Sequence, residues 1–231
     1  EVLAKEKNYT RNEQDCFAVE SYRRSMESIK NGSFRDEIVA VEIPKNTGDS
    51  VIIDTDEEPG RGKPDKIGQL RPAFDREGTI TAANSSSIND GAAALAVLSN
   101  SKAEQLGVSP VCRIINQVSA AHEPLYFTTA PGKAITKVLK KSGLSIEDID
   151  LFEINEAFSN VTLAAMREHC IPHDQVNING GAVSLGHPIG ASGARILVTI
   201  IAALQKKQKK RGLATLCIGG GEAAAIIVEI I

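Results

Sequence analysis

Residues 148–169, DIDLFEINEAFSNVTLAAMREH, run from an apolar strand pattern straight into a helical one with no turn between them. A strand that feeds a helix this directly commits the region to layered α/β architecture, because the helix has to lie back over the sheet to bury its apolar side. The rest of the chain keeps the alternation. Residues 10–32 read as a helix: Thr10 and Glu13 form a capping box, Phe17, Tyr22, Met26 and Ile29 an apolar stripe, and Asn31-Gly32 a stop. EIVAVEI (37–43) reads as a strand, and residues 44–78, rich in Pro, Gly and charge, as a functional surface loop region. INDGAAALAVLSNSKAEQLG (88–107) reads as a helix whose small residues suit close packing, followed by the β-rich VCRIINQVSAA and a helix at 131–142. NINGGAVSLGHPIGASGARI (177–196) introduces a further helix ending in KKQKKRG and closed by Gly212, and LATLCIGGGEAAAIIVEII places two apolar runs around a glycine turn. The expectation is an α/β fold with a mostly parallel sheet and an antiparallel final hairpin.

With 231 residues, 42% of them hydrophobic, the chain fills one large domain or two small ones. A formal charge of -3 argues against nucleic acid and membrane surfaces as partners and favours small-molecule chemistry; KKQKKR is read as a helix end favoured by the dipole. Cys16, Cys112, Cys170 and Cys217 are far apart with no C-x-x-C pair, so neither a zinc site nor a disulfide scaffold is expected, and reduced intracellular thiols fit. No stretch approaches the roughly 20 apolar residues of a membrane helix. The opening at Glu1, without an initiator methionine, suggests a piece of a longer protein.

The chemically unusual residues fall at junctions. Asn155 and Glu156 lie where a strand meets a helix, His187 lies just before a helix, and Cys217 ends a strand ahead of Gly219, Gly220 and Gly221. Ligand sites in α/β sheets collect at the carboxyl ends of strands, so these three junctions are expected to share a pocket. Glycine lets backbone N–H groups approach a ligand oxygen closely, so the CIGGG turn and an imidazole are expected to hold negative charge developing on a carbonyl oxygen. Each piece also has a plainer reading: a histidine in a glycine turn is more often structural, and a cysteine closing a strand is a buried hydrophobe as often as a reactive thiol.

Together, NEAF, GGAVSLGHPIGASG and CIGGG, with SSSINDGAAA before them, resemble the C-terminal signatures of the thiolase family, and most of all its biosynthetic acetyl-CoA acetyltransferases of the mitochondrial type. The resemblance covers essentially the whole chain. It implies a thiolase-like layered fold, with residues 1–80 as the remainder of a CoA-binding loop domain, 81–120 as the last helix and strand of the N-terminal domain, and 121–231 as the C-terminal domain. It implies catalytic roles for four residues. His187 activates a nucleophilic cysteine and binds the thioester oxygen, Asn155 holds a water in the same oxyanion hole, Cys217 shuttles the α-carbon proton, and the Gly219 N–H contributes to a second oxyanion hole. The implied reaction is ping-pong Claisen chemistry, two acetyl-CoA giving acetoacetyl-CoA and CoA or the reverse thiolysis. An α-proton beside a thioester is weakly acidic, so such a site needs a strong base and a stabilised enolate.

By the same resemblance Ser86 contacts the pantetheine arm, Arg61 lies near the CoA nucleotide, Ala82 belongs to the CoA-binding set and His122 lines the substrate pocket. No tightly bound cofactor and no metal are expected; Pro59 replaces the tyrosine of the potassium-binding members, which counts against a potassium site near Ala82, Ala83, Ser85 and Val183. The family's C-x-S-G nucleophile element has no match here, and neither Cys16, Cys112 nor Cys170 has its glycine context, so the chain alone is expected to be inactive. Glu222 and Ala223 also depart from the usual small or neutral residue and glycine after the turn. A homo-oligomer, dimer or tetramer, and a mitochondrial location, with the cytoplasm as alternative, complete what the resemblance implies. Two other readings stay open: a non-catalytic CoA-thioester-binding or assembly subunit, and a Cys217/His187 thioester hydrolase.

Overall fold

The computed structural model describes residues 1–46 and 48–231. Thr47, inside the expected surface loop, lies outside them. In chain order, helices α1 (Val2–Lys7) and α2 (Arg11–Asn31) precede an antiparallel hairpin of β1 (Val41–Pro44) and β2 (Ser50–Ile53) and the single turn α3 (Glu58–Arg61). Then come α4 (Asn100–Leu106), β3 (Cys112–Ala121), α5 (Ala130–Ser142), β4 (Leu151–Ile154), α6 (Ser159–His169), the single turn α7 (Ala182–Leu185), α8 (Ser192–Lys207), β5 (Arg211–Ile218) and β6 (Glu222–Ile230).

Strands β3, β6, β5 and β4 form one sheet in that order. β4 and β5 run parallel; β6 is antiparallel to β5 across the final hairpin and to β3 on its other side. The α/β layering and the antiparallel hairpin are as expected, and the parallel part of these four strands is the β4/β5 pair, because β6 inserts between β5 and β3. Alternation along β4 divides the core. Phe152 and Ile154 pack with Ile135, Val138, Leu213 and Ile227 on the α5 side, while Leu151 packs with Ile196, Ile200, Leu204 and Val228 on the α8 side.

Helix α8 buries Ser192, Ile196, Thr199, Ile200, Ala203 and Leu204, a helical stripe facing the sheet. Complete burial of Ile200 and Leu204 contributes about 1.5–3 kcal/mol each. The helix ends at Lys207, with Gln208 in the left-handed conformation as its cap, so Gly212 does not close it. Gly212 lies in β5 and sets the separation of helix and sheet: a Cβ there would stand 2.7 Å from Ile200.

Helix α2 starts and stops as its sequence indicates, with both capping-box bonds between Thr10 and Glu13 formed and Gly32 at φ 72°. Its buried face differs. Phe17 and Ala18 are buried, but so are Gln14, Ser21, Ser25 and Ser28, and Met26 is exposed. The expected 37–43 strand shortens to β1, and the helix expected from Asn155 begins at Ser159. Of the helix expected over 88–107, only α4 forms. Residues 88–99 have no regular structure and are largely exposed, with Ile88 at 84% and Val97 at 70%. Alanines favour a helix but bring too little apolar area to hold a short one without a surface to pack on, and among the described residues none covers this run.

Candidate active site

The site begins where β4 ends. The Asn155 N–H donates to Thr215 O at 3.0 Å, so Asn155 leaves the strand beside β5, two residues before Cys217 on that neighbour. Asn177 then docks like an extra strand residue: its side-chain amide donates to Ile154 O at 2.8 Å and its Oδ1 accepts the Ile154 N–H at 2.9 Å. This brings the glycine loop 179–186 under Glu156. Glu156 is fully buried, and its carboxylate accepts from Ser21 Oγ at 2.7 Å, Asn177 Nδ2 at 2.8 Å and the Val183 N–H at 3.0 Å. Burial pushes its carboxyl up, and these three donors oppose that shift.

Gly180 and Gly181 serve this packing rather than ligand approach, which corrects part of the glycine argument. A Cβ on Gly181 would collide with the Glu156 carboxylate, and one on Gly180, which has φ 86°, would stand 2.8 Å from Ser21 O and Ser25 on α2. Here lies the reason for the serine-rich buried face of α2: an apolar stripe would leave Glu156 and the loop N–H groups unpaired.

His187 emerges from this loop with its ring held at both nitrogens. Nδ1 lies 2.6 Å from Ser192 Oγ, whose hydroxyl donates to Pro188 O at 3.0 Å. That bond occupies the serine proton, so we assign the ring proton to Nδ1, donating to Ser192, with Nε2 carrying the lone pair. Nε2 faces Asn155 Nδ2 at 3.3 Å. Burial, and then the charge of Arg195, hold His187 below the ordinary imidazole value. Asn155 is buried, and its Oδ1 has no partner. An acceptor buried this way costs about 1–3 kcal/mol unless a water or ligand meets it.

The segment Asn84–Asn89 threads between the two motifs. The Ser86 N–H and hydroxyl both donate to Ala157 O, at 3.1 and 3.0 Å, and the His187 N–H donates to Ser87 O at 2.9 Å and to Asn89 Oδ1 at 3.2 Å. A groove of about 400 Å³ lies alongside, between Asn89–Ala93 and Pro188–Ala191.

Cys217 is buried at the carboxyl end of β5, and burial pushes its thiol up to about 11. Gly219 is exposed in the three-residue turn that follows, whose last residue, Gly221, is buried. Glu222 faces Ile218 across the hairpin with its carboxylate against Gly220, where a Cβ would stand 2.6 Å from its Oε2, and that oxygen is buried without a partner. Cys112 pairs with Ile230 whereas Cys217 pairs with Ala223, which puts Cys112 at the opposite end of the sheet. Cys170 is exposed in the C-cap of α6, at the end away from Ser159, and Cys16 is exposed on α2. Among the described residues, then, Cys217 is the cysteine at the Asn155 end.

The other sequence candidates lie farther out. Arg61 is exposed and paired with Glu57 and Glu58 of its own helix region, and Ala82 is exposed. His122 is half-buried, its Nε2 3.4 Å from Thr129 Oγ1, and its backbone N–H donates to Gly221 O, fastening the hairpin turn. Among the described residues no group of His, Cys, Asp and Glu is arranged to hold a metal, and no helix is long and apolar enough to cross a membrane. Sequence reasoning missed Ser192, Asn89, Asn177 and Arg195. Ser192 had a signal, a serine at the start of a helix five residues after the histidine, but nothing in the sequence says which side chain faces it.

Comparison with known proteins agrees along the chain. The family model for the thiolase N-terminal domain matches residues 1–101, and that for the thiolase C-terminal domain matches residues 108–230. An acetyl-CoA acetyltransferase of Thiocystis violacea is 47% identical over 99% of this chain. The crystal structure of the Bacillus anthracis acetyl-CoA acetyltransferase superposes with a TM-score of 0.95 at 39% identity, and a thiolase from Ascaris suum in complex with coenzyme A superposes with 0.88 at 40%, each covering 99% of this chain. The chain spans 58% of the length of each of these three proteins.

Proposed function

Because this chain belongs to the thiolase family, we propose that it carries the enolising portion of an acetyl-CoA acetyltransferase site, acting in the condensation of two acetyl-CoA to acetoacetyl-CoA and CoA or in the reverse thiolysis. The observation that carries this reading is the His187 ring, fixed by Ser192 on one side and facing Asn155 on the other, beside the strand that ends in Cys217. A neutral imidazole with its lone pair on Nε2 can take a proton from a thiol and then, as a donor, stabilise a thioester oxygen. The unpartnered Asn155 Oδ1 suits a water bound at that oxygen.

A thiol raised to about 11 is protonated at neutral pH, and its conjugate base is correspondingly strong. In the proposed cycle, acyl transfer to a nucleophilic cysteine releases CoA as a thiolate, which takes the Cys217 proton. The Cys217 thiolate then removes the α-proton of the second acetyl group, and the carbanion attacks the acyl carbon, expelling the nucleophile's sulfur. The nucleophile itself is proposed to come from outside these residues. Ser86 and the adjoining segment are the proposed pantetheine contacts. Arg61, already paired with two glutamates, is a weaker proposed phosphate contact. A homo-oligomer and a mitochondrial location stay part of the proposal on resemblance alone.

Enolisation can be tested without the nucleophile at alkaline pH, where Cys217 ionises without help from a released CoA thiolate. Acetyl-CoA incubated with the chain in deuterium oxide is expected to take up methyl deuterium above the solvent rate, read by mass spectrometry, and Cys217→Ser is expected to abolish the excess. Acetyl-CoA that binds without exchange would instead favour the non-catalytic binding subunit, and release of free acetate would favour the hydrolase.

A further inference from the structure

β4 turns alternate side chains toward α8, and Leu151 and Glu153 face it; Asn155, just past the strand end, meets His187 ahead of α8. Leu151 packs apolarly, as such a position ordinarily does. Glu153, only 3% exposed, instead meets Arg195, with Oε2 3.5 Å from Nη1. A buried ion pair recovers little of its own desolvation cost, so stability gives no reason for this one. Its neighbours do. Arg195 stands three residues after Ser192 on the same helix face, and Ser192 accepts from His187 Nδ1; Glu153 stands two residues before Asn155, at the end of β4, and Asn155 meets Nε2.

We propose that Arg195 is a positioning residue for His187, tying the first turn of α8 to β4 through Glu153 so that both imidazole nitrogens stay engaged. The proposal builds on the reading of His187 as the base. The other acids that feel the charge of Arg195 are Glu37, which accepts from Thr199 Oγ1 at 2.7 Å one turn further along α8, Asp56 from the segment before α3, and the buried Glu156. The 3.5 Å separation favours an ionised Glu153, while burial favours the neutral acid. Burial prevails and, with the nearby charges of Glu156 and Glu37, raises the carboxyl to about 8 against the pull of Arg195. The positive charge of Arg195 opposes protonation of the His187 ring.

The test labels the ring nitrogens of the whole chain with ¹⁵N and follows His187 across pH in wild type, Arg195→Met, Arg195→Lys and Glu153→Leu. Wild type is expected to show one tautomer, protonated at Nδ1. Arg195→Met should move the titration midpoint upward and mix the tautomers, Arg195→Lys should restore the midpoint, and Glu153→Leu, which takes the carboxyl away from Arg195, should mix the tautomers. A folded Arg195→Met chain with the wild-type midpoint and a single tautomer overturns the proposal; if that variant does not fold, an unmixed tautomer in Glu153→Leu does so. A wild-type ring charged at neutral pH would sink the reading of His187 as the base, while the differences among variants would still judge Arg195.

Discussion

An imidazole that donates from one nitrogen and faces an amide with the other is fixed in protonation as well as in place, and the residue-scale predictions follow from that. Ser192→Ala removes the Nδ1 acceptor and is expected to slow deuterium exchange between about twofold and tenfold, the worth of one hydrogen bond, with little effect on the fold. A rate equal to wild type would count against the tautomer assignment. Because burial and the charge of Arg195 hold His187 below its ordinary value, the midpoint of its ¹⁵N titration should fall below pH 6.5; a midpoint at or above that value contradicts it. Cys217 should resist iodoacetamide at neutral pH while exposed Cys16 and Cys170 react, with its labelling rate rising about tenfold per pH unit toward 11; peptide mapping that finds all three labelled alike at pH 7.5 contradicts this. His187, Asn155 and Cys217 were legible as candidates because each sits at a junction the sequence itself marks. Ser192 and Arg195 were not, since their significance is a contact across the chain.

Among the elements, the glycine loop and α2 depend on each other. Gly181→Ala is expected to cost about 1–3 kcal/mol by overpacking against Glu156, and Gly180→Ala more, because its φ of 86° adds strain. Gly60→Ala, with open space around it, should change stability by less than about 0.5 kcal/mol. Urea unfolding midpoints that rank the three otherwise would contradict the packing account. Caps and strand–helix alternation were readable from local chemistry, as Thr10, Glu13 and Gly32 of α2 illustrate. The buried serines were not, because hydrophobic periodicity favours Met26 and has no knowledge of a carboxylate arriving from residue 156. The run 88–99 misled in the opposite sense: its helix propensity is real, but a helix also requires a surface to lie on.

For the whole molecule, the parallel β4/β5 pair brings the carboxyl ends of the strands that lead to Asn155 and carry Cys217 next to each other, which is the geometric basis of the proposed site. The same layer stores an electrostatic cost. Glu153 has a folded-state value near 8 against an ordinary 4.5, so between those pH values the unfolded chain releases a proton that the folded chain keeps, and stability falls as pH rises. Glu153→Gln should therefore match the wild-type Tm near pH 4.5 and exceed it at pH 8.5, and a lower Tm at pH 8.5 would contradict this. The fold class was legible because alternation and the closing hairpin are patterns within the sequence, whereas the insertion of β6 between β5 and β3 is a choice among pairings that no local pattern records. The most direct test of the central claim is a crystal structure with an unreactive acetyl-CoA analogue. At a pH low enough to protonate both ring nitrogens, the account predicts its carbonyl oxygen about 3 Å from His187 Nε2 and its methyl carbon within about 4 Å of Cys217 Sγ. An analogue seated elsewhere, with His187, Asn155 and Cys217 facing different spaces, would contradict it.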